Sequence, residues 1–149
     1  IFKTKVRKQK DIYYKYIVFS IINFIIALVL VCFYFVLSND YLLFISGFIF
    51  LLGFLTTIIT AHLYKIIPFL VWFYRFSNLV GKQKVPMLAD MVPVKSSDFG
   101  FAFYLLGFIL SLIAFIFSSD ILFKSAVSFL FVGTSFIVKD VFYIINFKG

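Results

Sequence analysis

Four long apolar stretches, Ile17–Leu37, Tyr41–Ala61, Phe99–Ser118 and Ile121–Val138, alternate with short polar breaks along the chain. A helix needs about 20 apolar residues to cross the hydrocarbon core of a bilayer, and each stretch is of that order. None alternates apolar and polar residues as a barrel strand does over about 10 positions. Backbone groups left unpaired in lipid are costly, so each stretch is predicted helical despite its many Ile, Val and Phe residues. The fourth continues past Lys139 and Asp140 into Val141–Phe147. The predicted fold is all-α and membrane-integral, one membrane domain over 1–149 with transmembrane spans at about 17–37, 41–61, 99–118 and 121–142.

The breaks set the connections. Ser38-Asn39-Asp40 and Ser118-Ser119-Asp120 are both rich in turn-forming and N-capping residues, and both can start the helix that follows. At the same offset Leu42 matches Leu122 and Gly53 matches Gly133. The four helices therefore read as two hairpins of similar build, although so few identities make duplication a weak inference. Between the hairpins, the apolar run Ile66–Tyr74 is too short to cross and lies between Lys65 and Arg75. Trp72, Tyr74 and Arg75 are of the kind that anchor a segment in the headgroup layer. Residues 66–80 are expected as a helix along the cytoplasmic interface, or as a Pro68-kinked extension of the second span. Residues 81–98 read as a cytoplasmic loop, with a short turn at Met87–Met91 and Ser96, Ser97 or Asp98 available to cap the third span.

Composition sharpens this picture. A content of 64% hydrophobic residues and a mean hydropathy of +1.12 exclude an ordinary water-soluble domain. The net charge of +8 is distributed unevenly. Basic residues crowd Ile1–Tyr16, recur at Lys65, Arg75, Lys82, Lys84 and Lys95, and end with Lys139 and Lys148, whereas neither tight turn has any, although Lys124 follows the second inside the fourth run. Alternate connections are thus basic, which puts them and both termini in the cytoplasm and suits a bacterial inner membrane. Nucleic acid is not an expected partner, since that needs a basic face on a soluble fold. The expected partners are the lipid bilayer and further spans of the same protein or other membrane subunits. The first run is too long for a signal-peptide core of ~7–15 residues and lacks a small-x-small cleavage site, so it reads as a retained span. The chain begins with Ile1, so a fragment or a processed product is expected.

Candidate chemistry is sparse. Cys32 is the lone cysteine, lies inside the first run and is expected as a packed thiol. Ser46, Gly53, Thr57 and Thr60 on the second span, and Gly100, Gly107, Ser111, Ala114 and Ser118 on the third, form stripes of small residues. Such stripes let helices approach closely in lipid; they carry no charge, which favours packing over a pore. Lys139 and Asp140, with Lys65, are candidates for an intramembrane polar pair, although Lys139 can also snorkel to the headgroups. By residue count from Asp40 and Asp120, His62 and Asp140 should lie at similar depth, so Asp140 is a candidate partner for His62 or Lys65. His62 is the only histidine and is read as a haem ligand, a proton-relay group or a hydrogen-bonded interfacial residue. Without Glu or accessible Cys it cannot complete a zinc or di-iron site. Met87 and Met91 make a poor copper site and read as an apolar contact. No Walker loop, dinucleotide fingerprint, nucleophile elbow or zincin motif occurs, so no catalytic residue is assigned.

The segment from His62 through Ile66-Ile67-Pro68-Phe69-Leu70-Val71-Trp72-Phe73-Tyr74-Arg75 to Phe76, with Lys84-Val85-Pro86-Met87-Leu88-Ala89-Asp90-Met91, resembles the C-terminal part of certain bacterial multi-span proteins. These are similar to haem-copper oxidase subunit I and the nitric-oxide-response haem-copper membrane proteins. The resemblance covers roughly residues 61–91. It implies haem and metal held by several histidines, mostly on other spans. Only His62 is present here, so no complete cofactor site transfers, and any haem belongs to the full-length protein. The expectation is a helical scaffold portion of a larger, respiratory or haem-associated membrane protein. A transporter or channel subunit, with Lys139, Asp140 and His62 along a path, and a cofactor-free anchor or assembly protein are the alternatives.

Overall fold

The computed structural model describes residues 11–148; the basic segment 1–10, including Lys3, Lys5, Arg7, Lys8 and Lys10, lies outside the described residues. Four helices account for most of the rest: α1 (Ile12–Leu37), α2 (Asp40–Leu79), α3 (Val94–Phe117) and α4 (Asp120–Ile145). All four are long and apolar enough to cross a membrane.

Both tight turns are built the same way. Ser38 and Ser118 end α1 and α3 with a φ of 48°, the left-handed conformation that glycine usually supplies there. Ser38 N–H donates back to the Tyr34 carbonyl, and Ser118 N–H to those of Ala114 and Phe115. The next residue caps the following helix: Asn39 accepts from Tyr41 N–H at 3.1 Å, and Ser119 from Leu122 N–H at 3.5 Å. An aspartate, Asp40 or Asp120, then opens each helix where its N-terminal dipole favours a negative charge.

Helix α2 runs 40 residues without interruption, about 60 Å, twice the ~30 Å hydrocarbon core. It passes through two irregularities. Ile49–Leu55 is a π-helical turn, closed by Thr56 N–H donating to the Leu51 carbonyl. Further on, Pro68 is buried within the helix and has no N–H to offer the Tyr64 carbonyl. The stretch from Ile66 is therefore no separate helix but the last turns of α2, ended by a turn at Gly81 whose φ is +82°.

Small residues mark the closest helix contacts. A Cβ on Gly53 would meet Asn23 of α1 at 2.7 Å. On Gly107 it would meet the Leu130 backbone nitrogen of α4 at 2.7 Å, and on Gly133 the Tyr104 nitrogen of α3 at 2.7 Å. Backbones of α3 and α4 thus touch, which lets dispersion contacts supply the association that lipid does not drive. Phe19 of α1 and Phe48 of α2 both pack on Phe108, seating α3 against the first two helices. Two expectations need correction. Cys32 is exposed on the outer face of α1 and is not packed. Ser96, Ser97 and Asp98 do not cap α3, which begins at Val94, and they occupy its first turns instead.

Replacing Gly107 by Ala should lower stability in detergent by about 1–3 kcal/mol, since backbone cannot give way as a side chain can. Gly47 has nothing within 4 Å of its would-be Cβ, so Gly47→Ala should be neutral or stabilising. Equal melting shifts for the two variants would remove the close-packing account.

Candidate functional site

The most demanding residue in the bundle is Asp140. It sits on α4 with no solvent exposure, and a carboxyl group so placed is tolerable only if its oxygens are hydrogen-bonded. Tyr64 of α2 donates its hydroxyl to one carboxyl oxygen at 2.8 Å, and Ser96 of α3 donates to the other at 2.5 Å. Three helices thus converge on one side chain. Tyr16 of α1 adds the fourth, its ring stacked on Tyr64 with centroids 6.0 Å apart. The Tyr16 hydroxyl is fully buried and has no hydrogen-bond partner among the described residues.

This clamp lies beside a recess of about 590 Å³ formed where the start of α1, the Tyr64–Pro68 turn of α2, the 88–92 loop and the start of α3 meet. Tyr64 and Ser97 line it, as do Lys65 and three carboxylates, Asp11, Asp90 and Asp98. Asp98 is paired with Lys15 of α1 at 2.6 Å, and Asp90 accepts from Met87 N–H at 3.2 Å. Trp72 closes the loop side by donating its indole N–H to the Pro86 carbonyl at 2.9 Å, and Met91 is fully buried beneath it. The loop is therefore fastened to α2, which gives the recess a fixed wall.

A second polar knot sits at the π turn. Such a turn displaces the ordinary i to i−4 pairing, and lipid supplies no substitute donor. Thr56 donates to the Leu52 carbonyl at 2.7 Å and Thr57 to the Gly53 carbonyl at 2.5 Å. Tyr104 of α3 reaches across to the same Leu52 carbonyl at 2.7 Å.

The residues singled out from sequence are scattered around these features. Asp140 accepts from Tyr64 and Ser96, which corrects its expected pairing with His62 or Lys65. Tyr64 lies about 200° around α2 from His62, so a helix that presents the tyrosine to α4 turns the histidine away. His62 is exposed, its Nδ1 is 2.7 Å from the Ile58 carbonyl, and its ring meets Tyr13 edge-on. Lys65 instead places its ammonium 4.3 Å from the Tyr13 ring centre. Lys139 and Asp140 do not form a pair either: the lysine is exposed, 5.1 Å from the Phe136 ring centre, and faces away from the clamp. Arg75 donates to the Phe147 carbonyl at 2.6 Å and Tyr74 is exposed. Gly53, Gly107 and Ser111 are buried, Ser111 donating to the Gly107 carbonyl at 2.8 Å.

Tyr64, Tyr16 and Tyr104 belong to no motif, and Ser96, expected as a helix cap, instead donates to Asp140. For Tyr16 the signal is positional: Ile12, Tyr16, Ser20, Asn23 and Ala27 all fall on one buried stripe of α1. Haem fits poorly at the one histidine. His62 is exposed, and among the described residues it does not line the recess. Among the described residues no three His, Cys, Asp or Glu side chains gather to hold a metal ion.

Tyr64→Phe should destabilise the bundle by about 0.5–2 kcal/mol, because it strips one donor from a buried carboxyl group. Tyr16→Phe removes a buried hydroxyl that has no partner, and should be neutral or stabilising. Melting of the purified variants in detergent separates the two, and equal losses would contradict this assignment of partners. Comparison with family models, curated proteins and solved structures yields no match.

Proposed function

We propose that the chain is a membrane-embedded helical scaffold, part of a larger bacterial multi-span protein of respiratory or haem-associated type. The observation that carries this reading is the use made of interior polar groups. Asp140, Tyr64 and Ser96 bind one another across three helices, and Tyr104 ties α3 to α2. They serve as fastenings. Outside, only 17–33% of each helix's most apolar window is buried, which leaves broad faces for lipid or further spans.

In the membrane this scaffold forms two hairpins with both termini in the cytoplasm. Support comes from the two matched turns without basic residues, and from the basic residues gathered at the other end, Lys124 excepted. Because α2 is twice the length of a span, its final turns leave the hydrocarbon core, and Trp72, Tyr74 and Arg75 lie at the cytoplasmic interface. In a Cys32→Ser background, Asn39→Cys and Ser119→Cys should react with an impermeant maleimide from outside. Lys82→Cys should react only after the inner face is opened. Outside labelling at position 82 would invert the threading of the second half.

A second reading, a transporter or channel, is favoured by one specific feature: a fully buried carboxyl group one residue away from an open recess. The two part on Asp140→Asn and His62→Ala in the longer protein. A scaffold should lose stability with Asp140→Asn while activity follows the amount of folded protein, and His62→Ala should leave haem absorbance in place. Loss of solute flux by a fully folded Asp140→Asn variant would favour the transporter. Loss of haem from folded His62→Ala would make this histidine a ligand.

A further inference from the structure

Helix α4 has an outer face that the bundle leaves uncovered. Phe131, Ser135, Val138 and Phe142 follow one another along it at helical spacing and line a shallow groove of about 430 Å³. That groove shares Lys139 and Phe142 with a second hollow of about 540 Å³, which continues to Lys148. The floor is less polar than its sequence suggests, because Thr134 and Ser135 turn their hydroxyls onto the Leu130 and Phe131 carbonyls, at 2.6 and 2.8 Å. From Phe131 to Phe142 the groove covers about 16 Å of helix, close to half of a ~30 Å hydrocarbon core. One leaflet's acyl chain matches that length.

The charged end is equally uncompensated. Asp140 adjoins Lys139 in sequence but is turned inward and held by Tyr64 and Ser96. Among the described residues Lys139 makes no ion pair, and its ammonium rests 5.1 Å from the Phe136 ring centre. Lys148 lies at the far rim, and Arg75 adds a third cation through its bond to the Phe147 carbonyl. An ammonium at the edge of the hydrocarbon layer needs an anion or water, and a lipid phosphate meets it there.

We propose that this face of α4 is a binding groove for an anionic phospholipid, with one acyl chain along Phe131–Phe142 and the phosphate held by Lys139 and Lys148. The proposal rests on the membrane-embedded reading above. Native mass spectrometry of the purified chain, offered an equimolar mixture of phosphatidylglycerol and phosphatidylcholine, tests it. The chain should retain phosphatidylglycerol preferentially, and Lys139→Gln with Lys148→Gln should weaken that preference by about fivefold for each lysine. Lys82→Gln with Lys84→Gln removes the same charge from the loop and should leave it unchanged. An equal loss in both double variants, or none in the first, would overturn the groove. Alkaline carbonate extraction from phosphatidylglycerol vesicles separates the two levels. A chain that stays inserted yet shows no lipid preference sinks the groove alone, whereas a chain that washes off sinks the membrane reading with it.

Discussion

A polar atom inside this bundle has no water to fall back on, and that constraint explains most of where its side chains point. Ser20, Asn23, Thr57, Thr60 and Ser111 each donate to a carbonyl of their own helix. Such local bonds make a polar residue cheap to bury, but they say nothing about which helix sits beside which. The few bonds that cross between helices carry that information. Ser46 donates to the Ala27 carbonyl of α1 at 2.9 Å, Tyr41 to the Phe115 carbonyl of α3, and Tyr64 and Ser96 to Asp140. Each would be lost if its helix slid by one turn, and at Ser46 and Asp140 that would leave a buried polar group without its partner.

The two ends of the bundle differ accordingly. At the turn end the helices are held by aromatic contacts, such as Phe44 and Phe48 on Phe115, and by backbone-capped turns. At the basic end polar contacts join the apolar core: the clamp, the Lys15–Asp98 pair, Trp72 on the loop and Arg75 on the C-terminal tail. The basic end also holds the recess. An extended helix, a proline without an N–H and an 80–93 connection leave space that the compact turns at the other end do not.

Much of the architecture was legible in the sequence, because hydrophobic length acts on whole segments. The four apolar helices follow from run length, and the turns from Ser38-Asn39-Asp40 and Ser118-Ser119-Asp120. Rotation of each helix about its axis was harder to read. In a soluble helix the polar face points outward, but here both faces of α2 are apolar and periodicity loses its contrast. The stripe read as Ser46, Gly53, Thr57 and Thr60 continues in fact through Ala61, Tyr64 and Pro68, all buried. Between Ser46 and Gly53 it passes into the π turn, whose extra residue per turn rotates everything after it. That rotation decides that Tyr64, not His62, is the residue of the later turns that meets α4, and no composition or motif announces it.

The same rotation bears on whether the interior is fixed or can move. Asp140 does not line the recess; Tyr64 does, and its hydroxyl is the donor that joins the two. An ion passing from the recess to the buried carboxyl group by way of Tyr64 would have to displace that tyrosine. Its ring is stacked on Tyr16, and Tyr16 in turn meets Phe101 edge-on at 4.9 Å, so swinging Tyr64 aside disturbs packing on α1 and α3 together. Interiors packed this closely resist such a change unless another arrangement is nearly as stable. Ser96 holds the second carboxyl oxygen, so losing Tyr64 would still leave Asp140 half-satisfied and attached to α3. Two donors from different helices, one of them stacked on an aromatic ring, hold Asp140 from two sides.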